Sequence, residues 1–209
     1  MRITKFGHAC VRIEHEGQVV VIDPGGFTER DAVDGATAVL VTHEHYDHYS
    51  EENLAATDAP IWAIGAVAQR MTSDLRERTT IFGPGESFDA GIPVRAVGER
   101  HAVIHPDMPV SDNCGLLLDV NGQFLYHPGD SFTLPGQQVD VLFAPVSGPW
   151  LKLSEVLDFV RAIGARRTLA IHELVLSEIG LGMSDGRIKA FLEGRGDYYR
   201  VKSREDLPG

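Results

Sequence analysis

The chain has 209 residues, of which 43% are hydrophobic and 23% charged, and its formal net charge is −11. This composition excludes disordered, collagen-like and coiled-coil classes, and the length supports one domain, residues 1–209, with a core that needs no disulfide staples. No run approaches the roughly 20 apolar residues of a membrane span, Met1–Phe6 has no leader-like apolar stretch, and an acidic chain is a poor partner for nucleic acid or an anionic membrane, so a cytoplasmic protein acting on a small molecule is expected, its oligomeric state left open.

Arg2–Phe6, Cys10–His15 and Gln18–Asp23 are short alternating or β-branched runs, the last two joined at Glu16-Gly17 as a hairpin. Asp23-Pro24-Gly25-Gly26 stops the third strand. Ala38–Thr42 is a continuous apolar run and reads as a buried strand. Ser50 can cap a short helix over Glu51–Ala56. Ile61–Ile64 reads as a strand, and Gly65–Leu75 as a helix with Ala66, Val67, Met71 and Leu75 on one face. Strands follow over Thr80–Phe82, Ser87–Asp89, Val94–Gly98, Gly115–Val120 and Gln123–His127, with Asn121-Gly122 a two-residue hairpin signal. Glu99–Asn113 is a long polar loop of the kind that carries function. The last third alternates: strand Val139–Ala144, helix Ser154–Ile163 with Ser154 as N-cap and Gly164 past its end, strand Thr168–His172, helix Ser184–Leu192, strand Tyr198–Lys202. Two β-rich halves, each followed by helices, predict a layered α/β fold with facing sheets and helices outside. Cys10 and Cys114 lie in apolar runs and read as buried thiols.

Nine histidines are present, and four chemically apt residues crowd into Thr42-His43-Glu44-His45-Tyr46-Asp47-His48, at the end of a buried strand. His43 and His45 are two apart, so in extended backbone both imidazoles face one side and can reach one ion. Asp47 and His48 follow where the chain turns, and can reach a neighbouring ion. Imidazole and carboxylate suit zinc, manganese or iron. By chance this string arises in about one chain in a thousand of this composition and length. Further ligands must come from elsewhere, and His101, Asp130 and His172 each follow a strand-like run.

On these residues the chain resembles metallo-β-lactamase-fold hydrolases, and among them it is similar to the branch of L-ascorbate-6-phosphate lactonase-like proteins. Gly7-His8-Ala9-Cys10 before a hairpin resembles that branch's opening, and Val21-Ile22-Asp23-Pro24 the family's first motif. Thr42–His48 resembles the signature loop, Tyr126-His127-Pro128-Gly129-Asp130-Ser131 the fourth motif, and Ala170-Ile171-His172 the fifth. The resemblance implies a four-layer αββα sandwich with the site at one edge. It implies two divalent ions, Zn2+ foremost, with Mn2+, Fe2+ or Ni2+ as alternatives. His43, His45 and His101 would hold the first ion, Asp47, His48 and His172 the second, and Asp130 would bridge them. His105 is the other candidate for the His101 role, and otherwise a pocket residue. His at position 45, where oxygen-reducing diiron relatives carry Glu, weighs against a redox role. The zinc β-lactamase substrate loop is missing, which argues against antibiotic hydrolysis.

The remaining residues take supporting roles. Asp23 is expected to orient a ligand from behind, because ligand histidines donate their other N–H to such a group. His127 is expected behind Asp130, and His15 on the surface. His8 either approaches the metals or substrate or makes a structural hydrogen bond. Met108, His105 and Asp107 are candidate pocket walls, as is the Ser147-Gly148-Pro149-Trp150 turn. Trp150 also reads as a core residue, and Glu173 as either a supporting or a solvent-facing acid. Asp47 and Asp130 are the expected catalytic carboxylates. The expected reaction is hydrolysis of an ester, lactone, amide or phosphodiester in a small cytosolic substrate by a metal-bridging hydroxide. A nuclease or cyclic-nucleotide phosphodiesterase is the alternative enzyme, disfavoured by the acidic charge. A non-catalytic metal-binding module is the third reading, disfavoured by the full set of seven candidate ligands.

Overall fold

The computed structural model describes residues 1–208. In chain order the first sheet takes β1 (Arg2–Lys5), β2 (Val11–His15), β3 (Gln18–Ile22), β4 (Ala38–Val41), β5 (Ile61–Ile64) and β6 (Thr79–Phe82). The second takes β7 (Ser87–Asp89), β8 (Pro93–Val97), β9 (Gly115–Val120), β10 (Gln123–His127), β11 (Val141–Pro145), β12 (Arg167–Ile171) and β13 (Asp197–Tyr199). The last strand, β14 (Glu205–Asp206), returns to the first sheet beside β1. The sheet orders are β14-β1-β2-β3-β4-β5-β6 and β13-β12-β11-β10-β9-β8-β7. Both expected hairpins form. Glu16 and Gly17 have φ 48° and 83°, and Asn121 and Gly122 have φ 52° and 80°. Positive φ at both central positions is the turn whose twist matches the flanking strands.

From β3 to β6, and from β10 to β13, neighbouring strands run parallel. Parallel neighbours need crossovers, and most of these carry the helices: α1 (Glu51–Leu54), α2 (Gly65–Ala68), α3 (Ser73–Glu77), α4 (Leu153–Ile163) and α5 (Glu178–Leu192). Ile13, Ile22, Leu40, Leu116, Leu118 and Phe143 bury their side chains in the core that joins the sheets. The alternate residues Leu117, Tyr126, Leu142 and Ala170 face Val156, Phe159 and Ile188 of α4 and α5. The second sheet is thus covered on both faces, which is why β9 reads as consecutive leucines rather than an alternation. The four-layer αββα sandwich expected from the sequence is the observed architecture. Parallel strands bring their C-terminal ends to one edge, so the segments after β3, β4, β10 and β12 open together, the usual place for a site in such sheets. Among the described residues no helix is long and apolar enough to cross a membrane.

Some boundaries differ from the sequence reading. The expected helix Gly65–Leu75 is two, α2 and α3. At the break Arg76 donates through Nε to the Ala68 carbonyl and through Nη2 to the Met71 carbonyl, both at 2.9 Å, which satisfies groups a continuous helix would pair internally. Helix α5 starts at Glu178, not Ser184. Ser177 Oγ accepts the Gly180 N–H at 3.2 Å as its cap, and Gly180 and Gly182, poor helix formers, disguise the first turns. In α4 Ser154 lies inside the helix. Lys152 is the cap residue, its N–H donating to Glu155 Oε2 at 2.7 Å. The short β14 and a 3-10 turn over Arg30–Val33 carry too little pattern to be read from sequence. The Glu99–Asn113 loop is pinned at its base by an Arg100–Asp112 bridge and by the His101 N–H on the Ser111 carbonyl at 3.0 Å.

Candidate metal centre

Two groups of potential ligands meet at the shared edge. His43, His45, His101 and Asp130 each offer one atom, all within 4.8 Å of one another, and Asp47, His48, Asp130 and His172 do the same. Asp130 belongs to both groups. The members come from loops after β4, β8, β10 and β12, so four separate chain segments deliver them. His43, His48, His101, Asp130 and His172 are buried, while His45 and Asp47 are half-buried and face solvent.

One carboxylate behind the site sets the direction of two rings. Asp23, fully buried, accepts the Thr42 N–H at 2.8 Å on Oδ1. Its Oδ2 lies 2.7 Å from both Thr42 Oγ1 and His48 Nδ1. A carboxylate only accepts, so the Thr42 hydroxyl and the His48 Nδ1–H both donate. With its proton so engaged, Thr42 Oγ1 accepts from His43 Nδ1, 3.0 Å away. His101 donates Nδ1–H to the Ala102 carbonyl at 2.6 Å. In all three rings a neutral imidazole then has its lone pair on Nε2, which faces the groups. His45 is turned the other way: Nε2 lies 3.2 Å from Ser111 Oγ, and Nδ1 lies 3.2 Å from His43 Nε2.

These are atoms arranged for a cation. The Nε2 atoms of His48, His101 and His172 and Oδ1 of Asp130 are buried without a hydrogen-bond partner. His48 Nε2 is 3.0 Å from Asp130 Oδ1, and His101 and His172 Nε2 are 3.3 and 3.2 Å from Asp130 Oδ2, without hydrogen-bonding alignment. Buried polar atoms left unpaired are costly, and a divalent ion coordinated by neutral imidazoles and carboxylates satisfies them together.

The charges follow the same arrangement. Burial raises the Asp130 carboxyl, but the imidazoles of His48 and His172 outweigh it and hold it well below the usual carboxylate range. Asp47 is likewise lowered: burial opposes, and contacts with His172 and His8 prevail. For His48 burial lowers the pKa, yet Asp130 and Asp23 drive it well above the usual imidazole value. His172 is pushed up to about 9, burial being offset by Asp130 and Asp47. Burial, the largest influence on His43, lowers it well below that value.

The sequence-selected supporting residues divide clearly. His8 is buried, and its Nδ1 accepts the Leu174 N–H at 3.3 Å. Its proton therefore sits on Nε2, 3.2 Å from Asp47 Oδ2. Burial lowers the His8 pKa to about 4, so the ring is neutral and steers Asp47 by donation. His127 is buried behind the Asp130 loop, with Nε2 donating to the Ala9 carbonyl at 2.8 Å and Nδ1 accepting the Gly129 N–H at 3.2 Å. His105 joins neither group. Its ring is 61% exposed, and Nδ1 lies 3.8 Å from Asp107. Glu173 is buried and pairs at 3.1 Å with the buried ammonium of Lys5. His15 is partly buried beside its turn and contacts Asn121.

Other residues take roles the sequence reading did not assign: the Ser147–Trp150 turn was expected as a pocket wall, and Asn113 only as the end of a loop. Trp150, buried as a core residue would be, also donates its indole N–H to Asp130 Oδ2 at 2.9 Å. Asn113 accepts the Asp130 N–H at 3.0 Å and donates to the Pro128 carbonyl at 3.0 Å, which fixes the loop that carries Asp130. Ser147 Oγ donates to the His172 carbonyl. Ser, Asn and Trp carry no ligand signature, so only partners distant in sequence reveal these roles. Among the described residues, His8, Asp23 and His172 are three of the six non-glycine residues with positive φ, at 58°, 49° and 63°. Each costs on the order of 1–3 kcal/mol, and each is held by hydrogen bonds: the His172 N–H to the His8 carbonyl at 3.1 Å, the Asp23 N–H to the Leu40 carbonyl at 2.9 Å.

Comparison with known proteins places this geometry. The family model described as the Beta-lactamase superfamily domain matches residues 2–172. Protein Rv0786c of Mycobacterium tuberculosis is 36% identical over 194 residues, covering 90% of this chain and 91% of that protein. A UPF0173 metal-dependent hydrolase of Methanoregula boonei is 30% identical over 189 residues, covering 82% of each. Among solved structures, Igni18, a metallo hydrolase from the hyperthermophilic archaeon Ignicoccus hospitalis, superposes with a TM-score of 0.76 and covers 99% of this chain and 97% of that one. At 17% identity that likeness is one of fold.

Proposed function

Because the chain belongs to the beta-lactamase superfamily and, within it, to the UPF0173 family, we propose that it is a metal-dependent hydrolase that cleaves a carbonyl ester or lactone in a small cytoplasmic molecule. The observation that carries this reading is Asp130, one carboxylate shared by two four-residue ligand groups. His43, His45 and His101 would hold one divalent cation and Asp47, His48 and His172 the other, with zinc favoured by the imidazole-rich set. A cation pair so held supplies Lewis acidity and can bring the pKa of a water from about 15.7 to near 7.

The protein's own groups do the rest. Asp47 and Asp130 would offset only half the charge of two divalent cations, which would leave the site electropositive toward a carbonyl oxygen. Trp150 restrains Oδ2 of Asp130, and this carboxylate is placed to orient the attacking water, take its proton and return it to the leaving alkoxide. The acyl C–O bond breaks as water adds its hydroxyl to the acyl carbon. His8 holds Asp47 by its Nε2–H. The lactone-cleaving branch that Gly7-His8-Ala9-Cys10 resembles is consistent with this bond type.

The test is metal content of an unsupplemented preparation, followed by lactones, esters and phosphodiesters with and without chelator. Two ions per chain, and carbonyl-ester hydrolysis that chelator abolishes and zinc restores, are expected. A His43→Ala or Asp130→Ala protein that keeps near-native turnover would refute the assignment.

A further inference from the structure

Resting on that reaction, we infer that the substrate is uncharged and has an apolar body extending from the scissile carbonyl, an acyl ester or alkyl lactone rather than a phosphorylated one. Two observations carry this. Large apolar side chains stand in solvent on the loops that bear the ligands. Tyr46 lies between His45 and Asp47, the Phe27 ring meets those of His8 and Tyr46 near right angles at 5.4 and 5.6 Å, and Leu174 binds His8 through its N–H. With Val175 these side chains are 46–66% exposed. Val103, Ile104 and Met108, 39–54% exposed, stand on the loop that leaves at the ligand His101 and returns at Ser111. Phe27 and Tyr46 pack ring against ring, and a contiguous exposed apolar patch marks a binding surface. Tyr46, Val103 and Leu174 stand within two residues of His45, His101 and His172, which ties that surface to the reaction.

The second observation is charge. The segments 24–29, 44–49, 102–111, 131–136, 147–151 and 173–177, which carry or overhang the ligands, contain no Lys or Arg. They do contain Glu29, Glu44, Asp47, Asp107 and Glu173. The flanking Arg30 and Arg100 are turned to Glu52 at 3.8 Å and Asp112 at 3.3 Å, Lys152 begins α4, and Arg70, which lines the cavity beside His45 and Tyr46, shares it with the three acids Glu44, Glu51 and Glu52. Recognition of a phosphate distant from the cations needs Arg or Lys, whereas a hydrocarbon body needs only surface to cover.

Two measurements on the full chain test this. The first is kcat/KM for p-nitrophenyl esters from acetate to octanoate, and for γ-butyrolactone to γ-decalactone against a phosphate-bearing lactone. A rise of about twofold to fourfold per methylene is expected, with the phosphorylated lactone disfavoured, and Phe27→Ser with Leu174→Ser should flatten the rise. The second is equilibrium binding of uncharged N-phenyl-1-naphthylamine, displaced by decanol, which requires no turnover. The same two substitutions should weaken it at least tenfold. A flat chain-length series, preference for the phosphorylated lactone, or probe binding indifferent to the substitutions overturns the inference. So does a dimer that these substitutions dissociate, since a second copy would then cover the surface. If no ester or lactone is hydrolysed but the probe binds and is lost with the rim residues, the proposed reaction fails and the apolar site stands.

Discussion

Replacing Asp23 with Asn removes one charge from behind the candidate metal centre and leaves the side chain's shape. Three donors converge on this carboxylate: Thr42 N–H at 2.8 Å, and Thr42 Oγ1–H and His48 Nδ1–H at 2.7 Å each. An amide keeps one accepting oxygen for the Thr42 N–H and turns its NH2 toward the other two. His48 can then only accept at Nδ1, which puts its proton on Nε2, the atom that faces Asp130. Losing a partner behind a ligand histidine typically costs 10–100-fold in metal affinity, about 1.4–2.7 kcal/mol. The effect should fall on the cation that Asp47, His48 and His172 are proposed to hold. His43 is reached only through the Thr42 hydroxyl, so the other cation should weaken less. Calorimetric zinc titration, with metal content after dialysis against a weak chelator, reads the two sites separately. Asp23→Ala is less informative. It leaves three buried donors unpaired at about 1–3 kcal/mol each, against a whole-protein stability of about 5–15 kcal/mol. An Asp23→Asn protein that holds both cations with native affinity would show that Asp23 does not set the His48 proton.

Other outcomes are equally definite. His101→Ala should lose a cation on dialysis, whereas His105→Ala, exposed and outside both groups, should retain two; metal analysis of the pair separates the candidates. At Gly25 a Cβ would overlap the Asp47 carbonyl and the His48 amide, so Gly25→Ala should cost about 1–3 kcal/mol and displace the second ligand group, seen as a lower melting temperature and less than two metal ions bound; an unchanged melt and stoichiometry would refute it. Trp150→Phe removes the 2.9 Å donor to Asp130 with little loss of volume, a charge-assisted bond of about 1.5–3 kcal/mol. Turnover should drop roughly tenfold or more with the far-ultraviolet circular dichroism spectrum retained, and native turnover would deny the indole its role. His48 and His172 hold protons at pH 7, His172 up to about 9, while coordination requires neutral rings. Zinc binding should therefore release about two protons, with apparent affinity rising from pH 6 toward 9. Identical binding enthalpies in buffers of different ionisation enthalpy would contradict this.

Much of the architecture was legible in the chain. Alternation, β-branched runs and the Glu16-Gly17 and Asn121-Gly122 turns are local signals, and they marked most of the strands and both hairpins. The histidine string at the end of β4 was legible because extended backbone puts His43 and His45 on one side, and the positions of His101, Asp130 and His172 after strands followed the same logic. Helix α5 was half hidden because its glycines break the apolar period, and β14 because two residues carry no pattern.

What the sequence could not decide is which atoms face one another across distant loops. His101 and His105 are chemically the same, and only the pinned base of the Glu99–Asn113 loop leaves the first among the candidate ligands and the second in solvent. The relay from Asp23 through Thr42 to His43 and the indole of Trp150 on the Asp130 carboxylate each depend on contacts between segments far apart in the chain. Packing of the two sheets brings those segments to one edge. A hydrogen bond has direction and a reach of about 3 Å, and no local pattern encodes either across such separations. Strand and turn are properties of neighbouring residues, while the proton positions that ready a site for cations belong to the assembled fold.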